Sequence, residues 1–203
     1  SGIKQSELAM RAVSNDRGYP EGYHAIQGVL GGLGDFVAEH LELQGPAYTV
    51  STACSSGAGA MLSARRLLAL DVCDAVIVGG ADTLCEMTLQ GFGALEALSA
   101  QYSKPFCHDR DGINLGEAAA VFVMSRDTGE VALLGGAASS DAHHISAPHP
   151  EGAGALQAMR AALADAQLTP DDIGYLNLHG TGTPHNDSME SIAVNALFGE
   201  HTP

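Results

Sequence analysis

The stretch "YTVSTACSSGAGAM", residues 48–61, passes from β-branched residues through a cysteine into a run of small residues. Residues 47–53 have the composition of a short strand, and residues 57–70 that of a largely buried helix. Cys54 therefore lies where a strand gives way to a helix, and the free N–H groups of a helix N-terminus stabilise negative charge. These residues alone leave two interpretations open: an activated nucleophile, or a small residue in a tight structural corner.

Strand and helix patterns alternate on both sides of this stretch, which predicts an α/β or α+β protein built from layers. Two of the expected strands should form a hairpin around residues 127–129. Asp187 and Glu190 have the spacing of a capping box at the start of the last helix. The expected strands are residues 47–53, 74–82, 117–125, 130–140 and 173–178, and the expected helices lie within 25–43, 57–70, 84–95, 156–166 and 187–198.

Length and composition describe a globular protein. The chain has 203 residues, 45% hydrophobic and 16% charged, which is enough for one domain with a real core. Nine basic and 24 acidic residues give a net charge of −15, which argues against a nucleic-acid-binding surface. No apolar run has the ~20 residues of a membrane span, and no secretory signal is visible. We therefore expect a cytoplasmic protein with neither a membrane span nor a nucleic-acid partner.

The cysteines and histidines do not predict a metal site. Cys54, Cys73, Cys85 and Cys107 form no C-x-x-C pair, so a structural zinc site is disfavoured and reduced cytosolic thiols are expected. The loop of residues 139–152 contains three histidines. However, adjacent histidines point in different directions on most backbones, and no carboxylate pair completes a ligand shell.

A second candidate for chemistry is the segment "HGTGTPHND", residues 179–187, which follows the last expected strand. His179 would sit at the strand's C-terminal end, where α/β folds bind ligands. Gly180 and Gly182 leave the backbone bare, and Thr181 and Thr183 offer hydroxyls. Such a histidine can donate a hydrogen bond to a carbonyl or act as an acid or base. The alternative is a loop histidine satisfied by its neighbours.

The segment "KPFCHDRDGINLGEAAA", residues 104–120, has a basic residue between two acidic ones, Asp109, Arg110 and Asp111. Opposite charges so close together in a loop are expected to pair with one another. We interpret the segment as a charge-paired loop that fixes the start of the strand after it.

Together these motifs resemble the β-ketoacyl-acyl-carrier-protein synthases, the condensing enzymes of the thiolase fold. "TACSSGAGA" looks like their nucleophile segment and "HGTGTPHND" like their first histidine motif. "GFGALEALS", "KPFCHDRDGINLGEAAAVFVMS" and "SSDAHHISAPHPEGAGA" fall between them in the family's order. The last segment looks closest to synthases of aryl-polyene and related polyketide-like pathways. The resemblance implies a thiolase-like layered α/β/α/β/α architecture.

The resemblance also implies roles for residues. Cys54 would accept an acyl group from the phosphopantetheine arm of acyl carrier protein, and the enolate formed by decarboxylation of malonyl-carrier protein would attack it. His179 would hydrogen-bond the malonyl thioester carbonyl. Thr181 and Thr183 would hold the pantetheine arm. Phe92 would gate the acyl pocket, and Ser146 would lie in a loop that lines the pantetheine tunnel.

Residues 1–203 are expected to form a single ketosynthase-like region, an incomplete central portion of the family's fold. The family's first strands, its later lysine and second-histidine segment, and its C-terminal Gly-Phe stretch have no counterpart here. On this basis the chain alone is expected to be inactive unless another polypeptide supplies the missing groups. Smaller departures are Cys107, Ala118 and Ala120, where the family often carries Asp or Gly.

Two other functions remain open. A chain-length-factor-like partner subunit shares the fold but usually lacks the nucleophile, and a thiolase-like enzyme transfers acyl groups to coenzyme A without decarboxylation. In either case no cofactor or metal of the protein's own is expected, because family substrates arrive on 4'-phosphopantetheine. The expected partners are acyl carrier protein and a second subunit, in a homodimer or a heterodimer with a related chain.

Overall fold

The computed structural model describes residues 3–15, 17–145 and 147–203. None of the helices in these ranges is long and apolar enough to cross a membrane. The chain divides into two compact units, Ser1–Gly91 with Leu115–Asp127, and Phe92–Asn114 with Thr128–Pro203. The helices are α1 (Ile3–Ser14), α2 (Gly32–His40), α3 (Ser56–Ala69), α4 (Glu86–Ala94), α5 (Ala153–Ala166) and α6 (Pro184–Phe198); the strands are β1 (Ala75–Asp82) and β2 (Ala118–Ser125); short 3-10 turns cover Ala25–Gly28, Ala53–Ser55 and Pro170–Asp172.

The first unit is built on one pair of antiparallel strands. β1 and β2 pair along their whole length, from Ala75 opposite Ser125 to Asp82 opposite Ala118. Both strands were expected from the sequence and are confirmed. The expected hairpin around residues 127–129 is wrong, because the partner of β2 is β1 rather than the segment that follows.

Helix α3 packs on β1 and carries the buried face of the first unit. Ala64 and Leu68 are one turn apart, so they share a face, and both are buried. At the end of β2, Arg126 donates from Nη1 to the backbone oxygens of Leu68, 2.8 Å away, and Cys73, 3.0 Å away. A cation is favourable at this end of a helix, where carbonyl groups lack partners. Arg126 therefore joins the end of α3 to the end of β2.

Helix α1 supplies the cap for the first turn of helix α4, which lies in the same unit. The carboxylate of Glu7 accepts hydrogen bonds from the backbone N–H groups of Glu86, at 2.9 Å, and Met87, at 2.7 Å. Arg11 and Glu86 form an ion pair at 2.6 Å. The side-chain hydrogen bond from Gln90, followed by that from Arg11, lowers the pKa of Glu86. A carboxylate at the first turn satisfies N–H groups that the helix leaves free.

The second unit is organised by the packing of α5 on α6. Gly152, just before α5, has a φ of +66°, and a Cβ atom there would lie 2.7 Å from the Met189 carbonyl oxygen of α6. Glycine is therefore needed both for the left-handed backbone and for the close approach. Ala193 and Val194 of α6 and Gly154 of α5 are buried.

Three expected strands, residues 47–53, 130–140 and 173–178, have no strand assignment in the described part of the chain. A strand needs a neighbouring segment for its backbone hydrogen bonds, and the sheet described here joins β1 to β2 alone. The helical expectations are confirmed, including the interruption within residues 25–43, where a 3-10 turn precedes α2. Helix α1 was not expected from the sequence.

Candidate active site

Cys54 occupies a short turn that leads directly into α3. It lies in the 3-10 turn Ala53–Ser55, and its side chain is exposed. The residue before it, Ala53, has a φ of 53°. A non-glycine residue in the left-handed region is strained by about 1–2 kcal/mol. The chain therefore bends sharply at Ala53 and presents Cys54 at the start of the helix.

Hydroxyl groups within the turn hold this strained backbone. Ser56 Oγ donates to the Ala53 carbonyl oxygen at 2.6 Å and accepts the Thr52 N–H at 2.9 Å. Ser55 Oγ donates to the Thr52 carbonyl oxygen at 2.9 Å. Short-range bonds of this kind let serine and threonine fix a non-helical backbone. They explain why Thr52, Ser55 and Ser56 surround the cysteine.

The start of α3 leaves its N–H groups available beside Cys54. Ser55 occupies the N-cap position but makes no side-chain capping bond, and the first turn contains no acidic residue. A Cβ atom at Gly57 would meet nothing within 4 Å, so the space beside this turn is open. An uncapped helix N-terminus stabilises an anion, such as the oxyanion formed when a thiolate attacks a thioester.

His179 lies on a loop that Glu190 of α6 holds by two hydrogen bonds. The His179 N–H donates to Glu190 Oε1 at 2.6 Å, and the Gly180 N–H donates to Oε2 at 2.9 Å. Both carboxylate oxygens are therefore used on consecutive amides. The backbone at His179 is fixed while its imidazole is left exposed. An exposed imidazole on a fixed backbone is suited to donating a hydrogen bond to a substrate carbonyl.

Asp187 holds the other end of the same loop. Its side chain is 1% exposed, and its Oδ1 accepts the Gly182 N–H at 3.1 Å. Its Oδ2 accepts the Phe106 N–H at 2.7 Å. The expected capping box of Asp187 and Glu190 is wrong, because α6 begins earlier, with Thr183 as N-cap. Both carboxylates instead accept amides of the loop before the helix.

The loop packs closely on residues 103–112. Gly182 has a φ of +69°, and a Cβ atom there would lie 2.6 Å from the Gly112 carbonyl oxygen and 2.8 Å from Ser103 Oγ. Any larger residue at this position would have to displace backbone. The hydroxyls of Thr181 and Thr183 lie 2.7 Å apart in a partly buried environment. The second unit therefore brings His179, Thr181 and Thr183 together on one fixed loop.

Two expected site residues remain, Phe92 and Ser146. Cys54 belongs to the first unit, whereas Phe92 is the first residue of the second. Phe92 is partly buried near the end of α4, and its carbonyl oxygen accepts the Ala97 N–H at 3.1 Å. Ser146 lies outside the described residues, so its expected position in the pantetheine tunnel stays a prediction.

The charged segment 104–120 pairs in two ways. Lys104 and Asp109 form an ion pair at 2.5 Å, and their hydrogen bond lowers the pKa of Asp109 and raises that of Lys104. Arg110 instead approaches Asp187 of α6, with Nε 3.6 Å from Oδ2. The segment is thus charge-paired through Lys104 and Asp109. Arg110 instead pairs with Asp187 and so links the segment to α6.

The histidine-rich loop is organised by hydrogen bonds to Asp141. Its carboxylate accepts the N–H groups of His149, at 2.9 Å, and Gly154, at 3.0 Å. The rings of His143 and His149 are tilted, with centroids 4.8 Å apart. Within the described ranges, no three His, Cys, Asp or Glu side chains are grouped so that they could hold a metal ion.

The sequence did not reveal the roles of Asp187, Glu190 and Arg110. The available signal was that both carboxylates follow His179 closely in the sequence, Asp187 at the end of the histidine segment and Glu190 just beyond it. That spacing is compatible with a cap at the start of the helix, and equally with carboxylates that accept amides of the loop before the helix. The choice between them depends on where α6 begins, which the structure supplies.

Comparison with known proteins finds relatives that include a nodulation protein and a 3-oxoacyl-[acyl-carrier-protein] synthase. Nodulation protein E of Rhizobium leguminosarum bv. trifolii is 38% identical over 190 residues, covering 88% of this chain and 46% of that protein. 3-oxoacyl-[acyl-carrier-protein] synthase 2 of Rhizobium meliloti (strain 1021) is 40% identical over 175 residues, covering 78% of this chain and 41% of that protein. The chain spans about half the length of the curated relatives it matches.

A solved structure agrees with these relatives. A chain in the complex of the ketosynthase ApeO with its chain length factor ApeC from Xenorhabdus doucetiae is similar to this chain at a TM-score of 0.95 and 47% identity. The match covers 100% of this chain and 51% of that one. This similarity confirms the expected thiolase-like α/β fold class.

The family assignment rests on two models that match in succession. The N-terminal domain of beta-ketoacyl synthase matches residues 1–129, and the C-terminal domain matches residues 131–203. The two motifs that first suggested the resemblance lie one in each match, Cys54 in the first and His179 in the second. The chain belongs to the beta-ketoacyl synthase family.

Proposed function

We propose that this protein catalyses a decarboxylative condensation between an acyl group held on Cys54 and a malonyl group held on acyl carrier protein. The observation that carries the proposal is the exposed Cys54 on a strained turn at an uncapped helix start. A loop-fixed, exposed His179 is the second part of the required chemistry. The naming of a relative as a 3-oxoacyl-[acyl-carrier-protein] synthase supports it.

The first step is transfer of the acyl group to Cys54. The sulfur attacks the thioester carbonyl of the acyl-carrier protein, a C–S bond forms, and the oxygen becomes an oxyanion. The N–H groups at the start of α3 are placed to stabilise that charge. The intermediate collapses, the C–S bond to pantetheine breaks, and the departing pantetheine thiolate takes up the proton that the Cys54 thiol has lost. Cys54 then carries the acyl group as a new thioester.

The second step forms the carbon–carbon bond. The malonyl carboxylate leaves as carbon dioxide, and the electrons of the broken C–C bond form an enolate on the thioester. His179 donates a hydrogen bond to the enolate oxygen, where charge develops. The enolate carbon attacks the acyl-Cys54 carbonyl, and the Cys54 C–S bond breaks. The product is a 3-oxoacyl group on the carrier protein, and Cys54 is regenerated.

The proposal extends to partners and setting. Acyl carrier protein delivers both substrates on phosphopantetheine, so the protein needs no cofactor of its own. A second subunit, identical or related, completes the assembly, as the ApeO–ApeC complex suggests. We place the protein in a polyketide-like pathway on the resemblance of its sequence motifs, and in the cytoplasm because its four cysteines are all free.

A chain-length-factor-like role is the second candidate. The structural relative is a complex of a ketosynthase with a chain length factor, so the likeness admits either subunit type. A passive subunit does not need a reactive thiol. Acylation of Cys54 therefore discriminates between the two functions.

The test uses the complete protein with acyl- and malonyl-carrier protein. Intact-mass spectrometry follows acylation, and released carbon dioxide follows decarboxylation. We expect Cys54→Ala to abolish acylation while decarboxylation persists. His179→Ala should lower decarboxylation by about 10²–10³-fold, the effect of one lost oxyanion donor, and leave acylation intact.

Three results would count against the enzyme proposal. Absence of acylation in the unmodified protein would favour the passive subunit. Acylation of another cysteine in place of Cys54 would remove the nucleophile assignment. An acetyl donor working as well as malonyl would indicate thiolase-like transfer.

A further inference from the structure

We propose that Glu7 and Arg11 of α1 are positioning residues for Phe92, because they hold the start of the helix α4 that carries it. The inference rests on the proposed function, since it concerns which acyl groups Cys54 accepts. It also takes Phe92 as the gate of the acyl pocket, as the family resemblance implies. Its basis is the way in which α4 obtains a cap that its own sequence does not supply.

Helix α4 is a weak helix by its sequence. Its nine residues, Glu86–Ala94, include Gly91 and Gly93, and glycine is a poor helix former. The residue before it, Cys85, is not one of the serine, threonine, asparagine or aspartate residues that cap helix starts well. The Cys85 sulfur instead lies 2.9 Å from Thr88 Oγ1. The first amides of α4 therefore depend on another part of the chain.

Helix α1 provides the contacts that α4 lacks. Glu7 Oε2 accepts the Glu86 N–H at 2.9 Å, and Glu7 Oε1 accepts the Met87 N–H at 2.7 Å. Arg11 lies about one turn further along the same face of α1, and its Nη2 donates to Glu86 Oε2 at 2.6 Å. Both side chains therefore act on the first turn of α4, Glu7 through the backbone and Arg11 through a side chain.

These contacts span an open space between the two helices. A cavity of about 280 Å³ lies there, lined by Glu7, Arg11 and Glu86 and by leucines of both helices. Leu8 of α1 is 49% exposed and Leu89 of α4 is 38% exposed, so apolar packing between the helices is incomplete. The hydrogen bonds of Glu7 and Arg11 therefore hold the start of α4 where close packing does not.

The consequence for function runs along α4 itself. Phe92 lies in the last turn of this helix and is partly buried. An intact helix carries a change at one end to the other, and a helix that loses its cap unwinds from that end. One methylene group in a hydrophobic pocket changes discrimination about 10–200-fold. A displaced Phe92 should therefore change which acyl groups are transferred to Cys54, while the thiol itself keeps its reactivity.

The experiment compares Glu7→Gln with Glu39→Gln in the complete protein. Gln keeps the shape of Glu7 but presents an NH2 group to one of the two amides of α4. Glu39 is the control because it is an exposed glutamate of α2 in the same unit. The measurement is the ratio of kcat/KM for acylation of Cys54 by octanoyl- and butanoyl-carrier protein. We expect E7Q to shift this ratio about threefold to tenfold and to leave iodoacetamide alkylation of Cys54 unchanged, whereas E39Q should change neither.

Phe92→Ala tests the route through the gate. Removing the ring should shift the same ratio by itself. If Glu7 acts through Phe92, the double variant E7Q with F92A shows no larger shift than F92A alone. A double variant whose shift is the product of the two single shifts would overturn this route, and an unchanged ratio in F92A would remove Phe92 as the gate.

A pair of Arg11 variants tests the second contact. Arg11→Lys keeps the cation and should retain the ratio of the unmodified protein, whereas Arg11→Met should shift it in the direction of E7Q, but less. The side chains of Arg11 and Glu86 are 62% and 51% exposed, and exposed ion pairs are screened by salt. High salt should therefore move the unmodified protein towards R11M. Equal ratios for R11K and R11M would remove Arg11 from the proposal.

Hydrogen exchange of α4 keeps the inference separate from the proposed function. E7Q should accelerate exchange in α4 and not in α3. If the unmodified protein is acylated and E7Q leaves the octanoyl to butanoyl ratio unchanged, the positioning role is overturned. If the unmodified protein is not acylated on Cys54, the proposed function fails; accelerated exchange of α4 in E7Q would still support the cap, and unchanged exchange would overturn it.

Discussion

The turn at Cys54 and the turn at His179 are both held by side chains that bind the backbone, but these side chains come from different distances along the chain. At Cys54 the hydroxyls of Ser55 and Ser56 bond to residues 52 and 53. At His179 the carboxylates of Asp187 and Glu190 reach back from α6. The first turn is encoded locally, and the second depends on the packing of the second unit.

The chemistry of the two sets of bonds differs as well. Hydrogen bonds between neutral groups contribute about 0.5–1.5 kcal/mol each, whereas bonds to charged groups contribute about 1.5–3 kcal/mol. Asp187 is also buried, so a lost partner there is not replaced by water. Substitutions of the side chains that hold the His179 turn should therefore lower reaction rates more than substitutions of the side chains that hold the Cys54 turn.

The largest effect is expected for Gly182→Ala. A Cβ atom would meet the Gly112 carbonyl oxygen at 2.6 Å, and the backbone has a φ of +69°, so the loop must move. We expect decarboxylation to fall by at least about 100-fold and the melting temperature to fall. Gly174→Ala is the matched control, because a Cβ there meets nothing within 4 Å. Similar rates for both variants would show that the loop tolerates displacement.

Glu190→Gln should have the next largest effect. Gln presents an NH2 group to either the His179 or the Gly180 amide, and leaving one donor unsatisfied costs about 1–3 kcal/mol. We expect about tenfold slower decarboxylation, measured as carbon dioxide release, with unchanged alkylation of Cys54. Glu200→Gln, on an exposed residue, serves as control. A slower alkylation of Cys54 in E190Q would mean that the two turns are not independent.

Ser56→Ala tests the locally held turn. It removes the donor to the Ala53 carbonyl and the acceptor of the Thr52 N–H, at a cost of about 1 kcal/mol. We expect acylation of Cys54 to slow about threefold to tenfold while decarboxylation stays unchanged. Ser63→Ala removes a hydroxyl bond on the same helix, to Tyr48, and should leave acylation unaffected. An equal loss in S63A would point to a general effect on α3.

The comparison also explains what the sequence predicts well. Around Cys54 the strained Ala53, the serine hydroxyls and the helix start lie within five residues, so composition alone indicated a turn with a thiol at a helix N-terminus. Helices α3 and α5 were also expected, because apolar composition and apolar spacing are local properties. The last helix was expected from the spacing of Asp187 and Glu190.

The features that the sequence did not predict depend on contacts with segments far away in the chain. The segment 173–178 has the composition of a strand, but strand formation requires a paired neighbour. For Asp187 the cap spacing was visible, yet its acceptance of the Phe106 amide depends on a segment from elsewhere in the chain. The pairing of β2 with β1 rather than with residues 130–140 has the same origin.

The smallest effect concerns a locally held carboxylate in the second unit. The Thr169 N–H, and then its hydroxyl, hydrogen-bond to Asp172 and lower its pKa. A lowered folded-state pKa adds stability above the ordinary carboxyl pKa of about 3.9, and this stability is lost as the pH falls through the lowered value. Asp172→Asn should therefore melt slightly below the unmodified protein at pH 7, and the difference should shrink towards zero in acid. Asp171→Asn in the same turn is the control, and a difference that grows in acid would contradict the assignment.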